Sequence, residues 1–183
     1  MNIDSTITAC KNKSLNDQRL LYEYTYKAYF HICMRYSNGQ RDAEEIFNSS
    51  MFKIFKFLME NSSPITNYPA FCSRIIRLTA IDHYRSLKSH MIYISSEIVD
   101  DVSEPYFDDV LNSLEVEDIF KMIQTLPDKE RIVFSMFEVD GFSHKEIGLD
   151  LDIKENHSKW LLHHAKKMLK EKLNHYGIKS ARI

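Results

Sequence analysis

At 183 residues the chain has room for one ordinary domain or two small ones. Its content of 44% hydrophobic and 27% charged residues is that of a water-soluble protein, and no run of about 18 apolar residues marks a membrane-spanning helix. The net charge of −2 hides a partition: residues 1–88 carry 12 basic and 8 acidic side chains, residues 121–183 carry 12 and 9, and Ser89 to Phe120 holds nine acids with no Lys or Arg. Two mildly basic modules around an acidic connector suit two contacts with an anionic partner and a separator that does not stick to it. A plain solvated acidic loop is the alternative.

Four Gly and four Pro leave little for hairpin turns, and nothing alternates at period two, so the expected fold is all-α. The N-terminus MNIDSTITACKNK lacks a signal-peptide apolar core, which places the chain in the cytoplasm. Cys10, Cys33 and Cys72 are odd in number and widely spaced, which suits reduced thiols. Of the eight histidines, His163 and His164 are adjacent and would point about 100° apart on a helix. No ligand stands four residues from either, so neither a metal nor a cofactor is expected.

In chain order, residues 1–14 read as a tail. A first helix follows over 15–36, with Leu21, Thr25, Ala28 and Ile32 on one stripe and Tyr22, Tyr26, Tyr29 and Cys33 beside it. Asn38-Gly39 ends it. A second helix opens at Asp42, with Glu45 three residues on as a box-like start, and buries Ala43, Phe47, Met51, Ile54 and Leu58. NSSPITNYP, residues 61–69, is a loop with two prolines. The third helix runs to about Lys88. One stripe (Phe71, Ile75, Leu78) is apolar and fit to bury, and another (Arg74, Arg77, Ile81, Tyr84/Arg85, Lys88) is cationic.

After the connector, helical patterning resumes near Leu114 and stops at Leu126-Pro127. Pro127 suits the first position of the helix DKERIVFSMFEV. Ser143 and Glu146 form a capping box before a short helix ending near Leu151. Asp152 to Asn156 is a turn, and a long basic helix runs to about His175. A short helix, a tight turn and a longer helix have the layout of a helix-turn-helix.

RDAEEIFNSSMFKIFKFL, RIIRLTAIDHYR and LPDKERIVFSMFEVDGFSHKEIGLDL…AKKMLKEKL stand in the order and spacing of an extracytoplasmic-function (ECF) sigma factor, which the chain resembles over about residues 18–175. The resemblance implies a tail (1–14), sigma region two (15–89), an acidic linker (90–113), a region four helix-turn-helix (114–176) and a C-terminal tail (177–183). It implies core RNA polymerase and promoter DNA, duplex and melted, as partners, with an anti-sigma factor as a further candidate. The chemistry is then the polymerase's, and no phosphate loop or nucleophile motif argues for an enzyme.

By the same resemblance Arg74, Arg77, Asp82, Tyr84, Arg85 and Lys88 meet promoter DNA at the minus-ten element, the cations on phosphates and Tyr84 stacking on an unpaired base. Asp42, Glu44, Glu45 and Asn48 face the polymerase clamp. In region four, Ser143, His144, Lys145, His157, Lys159, His163, Lys166 and Lys167 are the DNA-contacting set.

Departures from the family fall on promoter-reading positions. Phe71 stands where relatives usually have tryptophan, Leu78 where they have asparagine, and Asn48 where they have glutamine. Leu78 either removes a polar contact or extends the core stripe. In the recognition helix the core stripe is Ser158, Leu162, Ala165 and Leu169. The groove-facing stripe reads His157, Trp160, Leu161, His164 and Met168, with no arginine to read guanine. Trp160, Leu161, His164 and Met168 are therefore read as a surface that docks a recruiting protein, either a DNA-binding activator or an RNA-guided one. The alternative is that Trp160 packs against its own domain or on the polymerase flap. Two other readings stay open. One is a degenerate sigma-like adaptor that opens no promoter, and the other is a helix-turn-helix regulator acting without polymerase.

Overall fold

A computed structural model describes residues 3–11, 14–61, 65–94 and 116–175, all helices and short connections with no strand among them. The chain divides into two compact units, Met1–Lys88 and Ser89–Ile183. Most of the acidic linker lies outside the described residues. No described helix is long and apolar enough to cross a membrane.

The first unit begins with a helix where a tail was expected. α1 (Ile3–Lys11) buries Thr6, Ile7 and Cys10 and packs on α2 (Leu15–Tyr36) and α3 (Gln40–Glu60). Nine residues are too few to form a stable helix alone, so this packing is what holds α1. Ser14 caps α2, its Oγ accepting the Asp17 N–H at 3.4 Å. α3 starts two residues before the expected Asp42. Asp42 instead stands in the first turn, and its carboxylate reaches back to accept the Asn38 N–H at 2.9 Å.

The α2–α3 core is aromatic. Phe47 is buried, with Tyr22 and Tyr26 edge-on at 5.2 Å and Phe30 at 6.0 Å. Edge-to-face rings of this kind add about 0.5–1.5 kcal/mol per pair beyond the area they bury. Leu21, Ala43, Ile46, Met51, Ile54 and Leu58 complete the centre.

α4 (Tyr68–Ile94) extends past the expected end near Lys88, and it corrects the expected apolar stripe. Phe71 and Ile75 are half-buried and Leu78 is 44% exposed. The buried line is Tyr68, Cys72, Ile76 and Ala80 at steps of four, joined by Thr79 and Ile81. Tyr68 is anchored inside by a 2.9 Å hydrogen bond to Thr25 Oγ1, which itself donates to the Leu21 carbonyl at 2.7 Å. All three cysteines are free and buried. Burial pushes the Cys10 thiol up to about 11 and those of Cys33 and Cys72 up to about 12.

The second unit contains α5 (Val116–Gln124), α6 (Asp128–Phe134), α7 (His144–Leu151) and α8 (Glu155–His175). Pro127 is the N-cap of α6. The segment expected as one helix to Val139 opens into a π-helical turn over Ser135–Val139, closed by the Asp140 N–H on the Ser135 carbonyl at 3.0 Å. Ser143 caps α7 through a reciprocal box with Glu146, as its sequence implied. Ile132, Val133, Met136, Ile147, Ser158, Leu162, Ala165 and Leu169 form the centre of the unit.

Candidate nucleic-acid interface

In the first unit, α4 carries the expected cationic face, interrupted by one buried residue. Arg74 and Arg85 are exposed, Arg77 and Tyr84 are half-buried, and Ile81, read as part of that stripe, lies in the core. Asp82 is exposed between two cations, Lys53 of α3 at 3.7 Å and Arg85 at 3.8 Å. The side chain of Lys88 lies outside the described residues. Near the start of α4, Phe71 packs on Phe57 at 4.8 Å and on Tyr68 at 6.5 Å, and Tyr68 has Tyr24 at 6.4 Å.

The acidic set on α3 is partly engaged within the unit. Asp42 is hydrogen-bonded to His83 of α4 as well as to the Asn38 amide, which ties the start of α3 to α4. Glu44 accepts from Gln40 Nε2 at 2.9 Å, and Asn48 Oδ1 accepts from the Tyr22 hydroxyl at 2.8 Å. Glu45 is exposed.

In the second unit a tight turn joins α7 to α8. The Gly148 carbonyl accepts from the amides of Asp152 and Ile153, the latter at 3.0 Å, and Asp152 adopts a left-handed backbone with φ of 53°. A side chain at Gly148 would meet the Ile153 carbonyl oxygen at 2.9 Å, so this approach of backbone to backbone requires glycine. His144 ties the two helices together. Its Nδ1 is hydrogen-bonded to Ser158 Oγ at 3.0 Å and its ring stacks on Phe137 at 4.3 Å. Burial, then the Lys159 ammonium, hold His144 below the ordinary histidine value.

α8 is rotated relative to the expected groove-facing stripe. Leu161 is 3% exposed and belongs to the core, Met168 is half-buried, and His164 lies against α6, its Nδ1 donating to the buried Glu130 carboxylate at 2.9 Å. Leu161 therefore drops out of the four-residue docking face expected from the sequence, while His164 and Met168 stay partly exposed. Trp160 remains, 56% exposed, and stacks on His164 with centroids 5.1 Å apart. The line that points straight away from the core is Asn156, Trp160, His163 and Lys167, at steps of four, three and four, all exposed. His157 is exposed beside Trp160, at 6.0 Å. The lysines expected for phosphates have acidic neighbours: Lys159 with Glu155 at 2.6 Å, Lys166 with Glu138 at 2.7 Å, and Lys167 with Glu171 at 3.9 Å.

Residues 117–169, which span this helix-turn-helix, match the family model for sigma-70, region 4. The second unit is thus similar to sigma-70, region 4. The chain is similar in fold to the sigma factor RpoE of Bartonella quintana, solved with the anti-sigma factor NepR. That match has a TM-score of 0.50 at 16% identity and covers 87% of this chain and 98% of that one. CnrH, solved with the cytosolic domain of CnrY, matches with a TM-score of 0.46 at 13% identity, over 94% of this chain and 98% of that one. No curated protein matches in sequence.

Within the matched residues, the short helix, the glycine-dependent turn and the long helix have the layout in which helix-turn-helix motifs present the start of the second helix to a DNA groove. Lys145 is exposed at the start of α7, whereas Ser143 and His144 have structural partners. Sequence reasoning missed Asn156 and the Glu130–His164 contact. Asn156 stands four residues before Trp160, a spacing visible in the sequence. The Glu130–His164 pair is separated by 34 residues, and no local pattern announces it.

Proposed function

We propose that this chain is an ECF-type sigma factor that binds core RNA polymerase and directs promoter-specific initiation. The observation that carries the reading is the pairing, in one chain, of a segment similar to sigma-70, region 4 with a separate helical unit whose α4 exposes Arg74 and Arg85, with Asp82 between Arg85 and Lys53. Exposed guanidinium groups neutralise backbone phosphates, and the half-buried rings of Phe71 and Tyr84 suit unpaired bases. Glu45 and the remaining polar face of α3 serve the polymerase. RpoE was solved with an anti-sigma factor, which supports an anti-sigma factor as the regulator of this chain as well.

Run-off transcription with cognate core polymerase and this protein as sole sigma factor tests the reading. Discrete start sites sharing upstream motifs are expected. A second reading, an adaptor that occupies polymerase or an anti-sigma factor without opening promoters, is favoured by one observation: Leu78 is 44% exposed and offers DNA no hydrogen bond. Polymerase binding with no start sites would select it.

A further inference from the structure

The rotation of α8 changes what its outward face can recognise. With Leu161 buried, Met168 half-buried and His164 held by Glu130, Trp160 has little apolar surface around it. Its neighbours on the exposed line are an amide, an imidazole and an ammonium (Asn156, His163 and Lys167). A protein-docking hot spot is normally an aromatic set in a dry apolar surround. An aromatic alternating with hydrogen-bonding and cationic groups on the exposed side of a recognition helix is the composition of a nucleic-acid reader.

Each of these residues has a defined reach. Asn156 is the second residue of α8, where recognition helices touch base edges. It is exposed, and among the described residues nothing engages its amide. A carboxamide donates to adenine N7 and accepts from adenine N6, which no other base permits in the same geometry. Trp160 lies four residues on, about 6 Å along the axis, which is close to two base-pair steps of about 3.4 Å each. Its stack on His164, which Glu130 anchors from below, fixes the ring before any ligand arrives. A fixed apolar face in the major groove suits the C5 methyl of thymine. α8 contains no arginine for guanine.

We propose that region 4 of this chain reads an A·T-containing upstream element directly, with Asn156 on adenine and Trp160 on a thymine methyl one or two base pairs away. This rests on the sigma-factor reading and names the bases that its region 4 selects.

The test uses the full chain assembled with core polymerase and duplexes randomised upstream of the start site, followed by binding to the selected duplex. Wild type is expected to enrich adenine at one position. Asn156→Ala should lose that preference, which amounts to about 5- to 150-fold in affinity ratio for a bidentate contact. Replacing the thymine by deoxyuridine should weaken wild type about fourfold, the worth of one buried methyl, and leave Trp160→Ala unaffected. Both side chains are exposed, so neither variant threatens the fold.

Enrichment of G·C, or an adenine preference that survives in Asn156→Ala, overturns the proposal. A Trp160→Ala variant that selects the same sequences but loses polymerase or another protein also overturns it, because Trp160 is then a protein contact. A wild-type chain that starts transcription without selecting any upstream element sinks this proposal and spares the sigma-factor reading. Failure to bind core polymerase removes both.

Discussion

Gly148→Ala isolates the turn that joins α7 to α8. Two effects oppose each other. Alanine inside α7 is favoured over glycine by about 1 kcal/mol through helix propensity. Against this, the new methyl would lie 2.9 Å from the Ile153 carbonyl oxygen and 3.6 Å from the Glu155 amide nitrogen. Both are backbone atoms and neither can rotate away, so the turn itself must open. Overpacking of this kind costs about 1–3 kcal/mol, and the net expectation is a loss of about 1 kcal/mol. For a unit of this size that lowers the melting midpoint by about 4–8 °C. Trp160 is the chain's only tryptophan and lies in the second unit, so its emission during thermal or urea unfolding reports that unit alone. A midpoint equal to or above wild type would refute the reasoning, since propensity would then outweigh the contact.

The remaining expectations concern titration and thiol chemistry. Burial first, then Lys159, depress His144, while Glu155 and Glu138 pull weakly the other way. A depressed group contributes stability that is complete above its unfolded value, about 6.5, and lost as pH falls through the folded value. The urea midpoint followed at Trp160 should therefore fall with pH on the acid side of 6.5, and less steeply in His144→Gln. A slope unchanged in that variant would assign the effect to another group. Cys10, Cys33 and Cys72 are protonated and enclosed at neutral pH, so iodoacetamide at pH 8 should label them slowly until urea is added. Fast labelling of any one, seen by mass spectrometry, would contradict its burial.

The sequence disclosed helices where period and punctuation agreed. α2 and α3 show unbroken apolar steps, and the Ser143–Glu146 box marks the start of α7. It concealed faces carried by residues of ambiguous polarity. The buried side of α4 mixes Ile76, Ala80 and Ile81 with Tyr68, Cys72 and Thr79, which are not strongly apolar, and the Phe71–Ile75–Leu78 line offered a competing apolar stripe. α1 escaped because it is nine residues long and its packed side, Thr6, Ile7 and Cys10, holds one strongly apolar residue. In α8 the difficulty was phase. Leu161 and Leu162 are adjacent and equally apolar, so assigning Leu161 to the solvent side turned the whole exposed stripe by about 100°. That error hid Asn156 and promoted Leu161 to a surface it does not reach. Tertiary pairs such as Asp42–His83 and Glu130–His164 depend on how helices meet, and no single-helix pattern contains them.

The lysine–glutamate pairs of α8 set how this face senses ionic strength. Lys159, Lys166 and Lys167 each have a carboxylate of the same unit within 4 Å, so any anion that recruits them must first take them from an internal competitor. Salt screens the contact being surrendered as well as the one being gained. Counting lysines on the helix would thus overstate the steepness with which added salt releases an anionic partner. The number of counterions displaced follows from the cations that change their surroundings, and here the glutamates hold part of that exchange in reserve.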